Sequence, residues 1–237
     1  MKDKVTAIVL AAGQGRRMNS QVAKQFLSLS EKPVISYSLY AFEKSSVEEI
    51  ILVTGEGQVD YCRKEIVEAY GFKKVRQVVE GGKERYDSVY QALLHSADTD
   101  YVLIHDGARP FITVELIEKM IAGVKEYQAC IPGTPVKETI KVVDAEGTIT
   151  DTPDRNTLWA AQTPQAFLYE VILKAYEKFY QEKESKDIAV TDDAMVYETF
   201  CGLPVKMLMG DYNNLKLTTP EDLILAEQIL MEQDRFR

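Results

Sequence analysis

Val5-Thr6-Ala7-Ile8-Val9-Leu10-Ala11-Ala12-Gly13-Gln14-Gly15-Arg16-Arg17-Met18 opens the chain, and Lys24 follows shortly after. The apolar, β-branched first half reads as a buried strand. The second half reads as a phosphate cradle. Two glycines let backbone N–H groups approach an anion, and the arginines neutralise it. A dinucleotide fingerprint would need glycine where Met18 stands, and no P-loop string occurs in the chain. What remains is a loop with side-chain cations at Arg16, Arg17 and Lys24. Such a loop suits a triphosphate whose leaving pyrophosphate must be stabilised as charge builds on it. Taken alone, it also fits a strand-to-helix turn with solvated arginines.

Beyond the loop, strand-like runs alternate with helical patterns. Strands are predicted at Ile50–Thr54, Val75–Val79, Tyr101–His105, Ala129–Pro135 and Val205–Met209. Helices are predicted at Val59–Tyr70, with Ile66, Val67 and Tyr70 on one face, and at Arg85–Leu94. Another should start at the N-cap Thr113 and bury Leu116, Ile117, Met120 and Ile121. Gln165–Tyr180 reads as helical, with Phe167, Val171, Ile172, Ala175 and Tyr176 inward. Thr191-Asp192-Asp193 and Thr219-Pro220 open two more. The alternation predicts an α/β fold: a Rossmann-like, mostly parallel sheet flanked by helices. One segment departs from it. Thr139–Val143 and Thr148–Thr152 around Gly147 read as a β-hairpin arm at about 137–155, too polar for the main core. Periodicity leaves open whether the arm lies on its own domain or on a second copy.

The chain has 237 residues, 46% hydrophobic and 27% charged, which is ordinary for a globular protein. No linker, repeat or low-complexity tract interrupts it, so residues 1–237 are expected to form a single domain. Cys62, Cys130 and Cys201 are scattered, which argues against a disulfide framework and for a reducing, cytoplasmic setting. The opening apolar run is too short for a signal peptide, and no run reaches membrane-spanning length. A net charge of −9 excludes a general nucleic-acid binder. An anionic substrate would therefore need a local basic cluster. The candidates are Arg16, Arg17, Lys24, Arg85, Arg109, Arg155 and Lys216.

Ligands of open parallel sheets bind beyond the carboxyl ends of the strands. There stand Ala11 to Lys24, then Gly81-Gly82 with Ser88, then His105-Asp106-Gly107-Ala108-Arg109. Asp106, with Gly107 beside it, can hold Mg²⁺. Its plainer roles are a helix N-cap or a partner for Arg109. Ser88 and the glycine pair can offer hydrogen bonds to a base edge, or simply close a turn. With two histidines and no Ser-His-Asp arrangement, phosphoryl-type transfer is the natural reading, since it needs mainly alignment and charge neutralisation. His105 reads as a structural residue at a strand end, and His95 as a surface residue.

Six blocks, in order, resemble one family. They are Ala11-Ala12-Gly13-x-Gly15-x-Arg17-Met18 with Lys24-Gln25-Phe26; His105 to Pro110; Pro135-Val136-Lys137-x-Thr139-Ile140-Lys141; Arg155-x-x-Leu158-Trp159-x-x-Gln162-Thr163-Pro164-Gln165-x-Phe167; Thr191 to Ala194; and Asn214 to Pro220 with Asp222-Leu223. From about Thr6 to Leu230 the chain is similar to the 2-C-methyl-D-erythritol 4-phosphate cytidylyltransferases. The resemblance implies that Arg17 and Lys24 stabilise the transition state. It implies that Leu10, Ala11, Ala12, Gly13, Gly15, Gly82, Ser88 and Gly107 frame CTP, with Asp106 beside the triphosphate and Mg²⁺. Arg109, Thr139, Arg155, Thr163 and Lys216 would grip the polyol phosphate. It also implies a homodimer through the arm, with Thr139 and Arg155 serving the neighbouring subunit's site. Lys83 stands where many relatives carry an acidic residue, so no base contact is transferred to it, and Asn213 stands where an acidic residue sometimes occurs, which leaves a second protein carboxylate for the metal open. A sister family, the ribitol 5-phosphate cytidylyltransferases, and a non-catalytic nucleotide-sugar sensor are the alternatives. Leu158-Trp159 and the Ala-Ala-Gly opening favour methylerythritol.

Overall fold

A computed structural model describes residues 3–13, 23–183 and 189–235. In chain order its strands are β1 (Val5–Ala11), β2 (Ser28–Leu29), β3 (Lys32–Pro33), β4 (Glu49–Thr54), β5 (Val75–Glu80), β6 (Tyr101–Asp106), β7 (Ala129–Pro135), β8 (Val142–Val143), β9 (Ile149–Asp151), β10 (Trp159–Ala161), β11 (Gln165–Leu168) and β12 (Lys206–Met209). The helices are α1 (Val34–Lys44), α2 (Val59–Tyr61), α3 (Arg85–Leu94), α4 (Val114–Tyr127), α5 (Tyr169–Glu182), α6 (Asp193–Cys201) and α7 (Pro220–Arg235).

β1 is covered on both faces, which is why it reads as an unbroken apolar run. Its side chains alternate between two cores. Ala7 and Val9 face Ile35, Leu39 and Phe42 of α1 and Ile117 and Met120 of α4. Ile8 faces the opposite layer, with Val89 and Leu93 of α3 and Ile172 and Tyr176 of α5. A third, smaller core joins Leu29, Val34 and Phe111 to Leu217 and Ala226, fastening α7. The sheet order is β10-β7-β11-β6-β1-β4-β5, with β12 also paired to β7. Pairings among β6, β1, β4 and β5, and between β7 and β12, are parallel, as the alternation predicts.

Four local expectations need correction. Gln165–Leu168 is not the start of a helix. It is a strand wedged antiparallel between β6 and β7, and α5 begins at Tyr169. Phe167 is buried as expected, but from a strand. A four-residue run leading into a helix fits either period, and the open slot between β6 and β7 decides. Trp159–Ala161 adds a further antiparallel strand along β7 that the pattern did not announce. The helix predicted at 59–70 passes from α2 into a π-type run, Cys62–Glu68; Ile66 is buried, but Tyr70 is exposed and stacks on Phe72. The hairpin pairs only Val142–Val143 with Ile149–Asp151, since Asp144 and Thr148 already belong to its turn.

Helix ends follow their sequence signals. Thr113 Oγ1 accepts the Leu116 N–H at 3.2 Å, and Asp192 Oδ1 accepts that of Met195 at 2.9 Å. Asp222 Oδ2 accepts the Thr218 and Thr219 N–H groups at 2.7 and 2.9 Å, ahead of Pro220.

Candidate active site

β1 lies where the strand order turns back, between β4 and β6, so the crevice beyond its carboxyl end is the expected ligand position. Asp106 ends β6 there. Its Oδ1 accepts Arg85 Nε at 3.1 Å and its Oδ2 meets Lys216 Nζ at 2.6 Å. Arg85 arrives from the first turn of α3, and Lys216 from the stretch between β12 and α7. The three side chains line a cavity of about 270 Å³ together with Arg109, Thr163 and Gln162. Burial alone would raise the Asp106 pKa, but the Arg85 and Lys216 charges overcome it and hold the carboxyl well below the usual range.

The plainer alternative, an Asp106 carboxylate paired with Arg109, is not what the structure shows; the carboxylate pairs with Arg85 and Lys216. Arg109 Nη1 instead donates to the Asn214 carbonyl at 2.7 Å, and Asn214 Nδ2 donates to the Thr163 carbonyl at 2.9 Å. The Asp106 carboxylate acts on the Arg109 guanidinium as a nearby charge, partly offsetting the burial that lowers its pKa, while the Asp106 carbonyl accepts the Arg109 backbone N–H at 2.9 Å. Among the described residues Arg109 Nε is buried without a hydrogen-bond partner.

His105 is fully buried, and burial lowers its pKa to about 4, so the ring is neutral. Its Nε2 faces the Arg109 carbonyl at 3.3 Å, which assigns the proton to that nitrogen. Nδ1 then accepts from Thr163 Oγ1 at 3.0 Å, and the same oxygen accepts the Asp106 N–H at 3.1 Å. His105 is thus structural, as read from the sequence, and it fixes Thr163 against the end of β6. His95 is exposed, as expected.

On the β1 side, Gly107 N–H donates to the Leu10 carbonyl at 2.9 Å. A Cβ at Gly107 would strike Ile35 Cδ1 and lie 2.8 Å from that carbonyl, so only glycine lets the two strand ends approach. Ala11, Ala12 and Gly13 follow at the crevice, and the Ala11 carbonyl is held by Gln25 Nε2. Ser88 does not offer its hydroxyl outward. Its Oγ accepts the Gly82 N–H at 3.2 Å and donates to the Glu84 carbonyl at 3.2 Å, tying the glycine loop while Gly82 stays exposed. Lys24 Nζ reaches the carbonyl of Leu217, next to Lys216, at 3.0 Å.

Of the predicted residues, Asp106, Arg109, Thr163 and Lys216 therefore share one cavity, with Leu10 and Gly107 at its strand ends. Gly15, Arg16 and Arg17 lie outside the described residues. Thr139 and Arg155 do not line the cavity; both are exposed on the arm, where Arg155 Nη1 donates to the Lys137 carbonyl at 3.3 Å.

Several contributors were missed. Arg85 was counted only as a basic candidate, yet its Nη1 and Nη2 donate to the two oxygens of buried Asp193 at 2.9 and 2.8 Å. The acidic start of α6 was the one available signal, and it reads equally well as a solvated helix end. Gln162, Thr191 and Asp192 also line the cavity. Among the described residues no cluster of three or more His, Cys, Asp or Glu side chains can hold a metal by itself. A magnesium ion held mainly by substrate phosphates, the usual habit of that cation, would need no more from the protein than one carboxylate such as Asp106.

The family model described as 2-C-methyl-D-erythritol 4-phosphate cytidylyltransferase matches residues 5–232. A protein of that name from Lachnoclostridium phytofermentans is 50% identical over 234 residues, 99% of each chain. One from Alkaliphilus oremlandii is 48% identical over 96% of this chain and 95% of its own. The crystal structure of 4-diphosphocytidyl-2C-methyl-D-erythritol synthase from Anaerococcus prevotii superposes with a TM-score of 0.84 at 33% identity, covering 97% of this chain and 96% of the other.

Proposed function

The chain belongs to the IspD family, the 2-C-methyl-D-erythritol 4-phosphate cytidylyltransferases, and from that premise we propose that CTP and methylerythritol phosphate meet in the cavity around Asp106. It is a nucleotidyltransferase of isoprenoid biosynthesis, moving a cytidylyl group from CTP to the polyol phosphate with release of pyrophosphate. The observation that carries the placement is charge. Three cations, Arg85, Arg109 and Lys216, converge on this one cavity of an acidic chain, where they meet the carboxylates of Asp106 and Asp192 in its wall and of Asp193 behind Arg85.

Both reactants are anions, so repulsion is the main obstacle to in-line attack of a substrate phosphate oxygen on the α-phosphorus of CTP. Arg109, Thr163 and Lys216 grip the polyol phosphate. Leu10 to Gly13, Gly15, Gly82 and Gly107 frame the nucleotide, with Ser88 shaping the glycine loop from behind, and Arg17 and Lys24 neutralise charge in the transition state. Asp106 would be the residue to hold a magnesium ion, and that ion would supply further neutralisation of the leaving pyrophosphate. Thr139 and Arg155 reach the substrate of a second copy, across a homodimer formed by the arm. Exposed Ile140, Val142, Val143 and Ile149 support that pairing, because an isolated hairpin is marginal in water. Residues 1–237 act as one catalytic unit. No described helix is long and apolar enough to cross a membrane. With its three cysteines unpaired, the enzyme suits a reducing cytoplasm.

Pyrophosphate release with Mg²⁺, CTP and either methylerythritol phosphate or ribitol 5-phosphate tests the reading. Turnover with the first and little with the second is expected. Preference for ribitol 5-phosphate, or no turnover with either, overturns it.

A further inference from the structure

Accepting cytidylyl transfer at this cavity, we propose that Asp193 is a positioning residue for Asp106, acting through Arg85 and held in place by Tyr176. Asp193 is absent from the cavity wall, and its side chain is wholly buried at the first turn of α6. A carboxylate there is costly unless its oxygens are filled. They are: Arg85 gives a two-point fork, and the Tyr176 hydroxyl donates to Oδ1 at 2.6 Å. The backbone N–H groups of Asp193 and Ala194 both donate to Gln165 Oε1 at 3.0 Å. β11, α5 and α6 together therefore fix this carboxylate with no freedom to turn.

The consequence falls on Arg85. A guanidinium prefers two parallel bonds to a carboxylate. Here one N–H of each terminal nitrogen is held by Asp193, which sets the plane of the group, and Asp106 receives a single bond, from Nε. Asp106 is thereby gripped from one side through Oδ1, while Oδ2 faces Lys216 and the cavity. Without Asp193, Arg85 is free to turn its fork onto Asp106 and close both oxygens. A mere staple between α3 and α6 would stabilise the fold but would not act through Asp106.

A double-mutant cycle separates the two roles. In the full chain, Asp193→Asn keeps the shape but loses the charge. It should lower kcat about thirtyfold or more while the calorimetric Kd for CTP moves less than about threefold. In an Asp106→Asn background the same exchange should change the residual kcat by less than about twofold, read with labelled CTP at high enzyme concentration. Tyr176→Phe should move kcat in the same direction by a smaller factor, and if Asp193→Asn does not melt cooperatively, Tyr176→Phe carries the cycle by the same criterion. An equal factor in both backgrounds, or an unchanged kcat, overturns the relay. Absence of wild-type turnover overturns the functional reading as well, whereas wild-type turnover with additive factors overturns the relay alone.

Discussion

Around Asp106 the charged side chains are answered from within the chain, whereas between Lys137 and Trp159 the chain carries Ile140, Val142, Val143, Ile149 and Trp159 into solvent. None of these five belongs to a buried cluster. The arm's own bonds are local, such as Asp144 Oδ1 accepting the Glu146 and Thr148 N–H groups at 3.1 and 2.8 Å. The ion pairs around Asp106 close within the chain, whereas the arm's apolar side chains find no buried cluster among the described residues. The contrast teaches that one sequence can finish its electrostatics internally and still leave its apolar surface for another molecule.

The largest expected effect removes a cation assigned to the transition state. Lys24→Ala, or Arg17→Ala, should lower turnover a hundred- to thousandfold, about 3–4 kcal/mol of transition-state stabilisation. Melting should stay near wild type, since the loss is of a cation and not of core packing. Undiminished pyrophosphate release from a well-folded variant would contradict this.

Next comes the buried imidazole beneath the site. Burial depresses the His105 pKa from the ordinary 6.5 to about 4, so the unfolded chain takes up a proton first. Its contribution to stability is complete above pH 6.5 and is lost as pH falls towards 4, about 1.4 kcal/mol per unit and about 3 kcal/mol in all. Urea unfolding of wild type and His105→Gln at pH 7.5, 5.5 and 4.5 reads the difference. Parallel pH profiles would contradict it.

How much of this was legible beforehand follows from what each feature depends on. β1, α3, α4 and α6 were readable because local periodicity and caps such as Thr113 and Asp192 specify them. β11 was not, because Gln165–Leu168 becomes a strand only in the slot that β6 and β7 leave open. The cavity residues were named by type and position, but their pairing was not. Nothing local distinguishes Arg109 from Arg85 as the partner of Asp106; the register of α3 and the burial of Asp193 decide it. Ser88 likewise shows its inward bond to Gly82 only once the loop is folded.

The arm provides a subtler test. Val143→Asp with Ile149→Asp should halve the light-scattering mass of the proposed dimer and reduce activity. Thermal stability of the fold should shift by less than about 1 kcal/mol, because both positions are exposed. A monomeric wild type would remove the arm's assigned role. The smallest effect concerns thiols. Cys62 and Cys130 are buried, and burial pushes both up to about 12. Only half-buried Cys201 should react promptly with a disulfide reagent in the native protein, and all three after denaturation.

The arm leaves the sheet from β7 and returns as β10, which pairs with β7 itself, Trp159 opposite Pro135 and Ala161 opposite Gly133. Its base is cinched shut, and the residues just past the knot, Gln162 and Thr163, are already cavity wall. Lengthening such a closed loop at its Ala145–Glu146 tip costs chain entropy only logarithmically. The tip is therefore free to be rewritten, by evolution or by an engineer choosing a new mate, without disturbing the floor on which the chemistry stands.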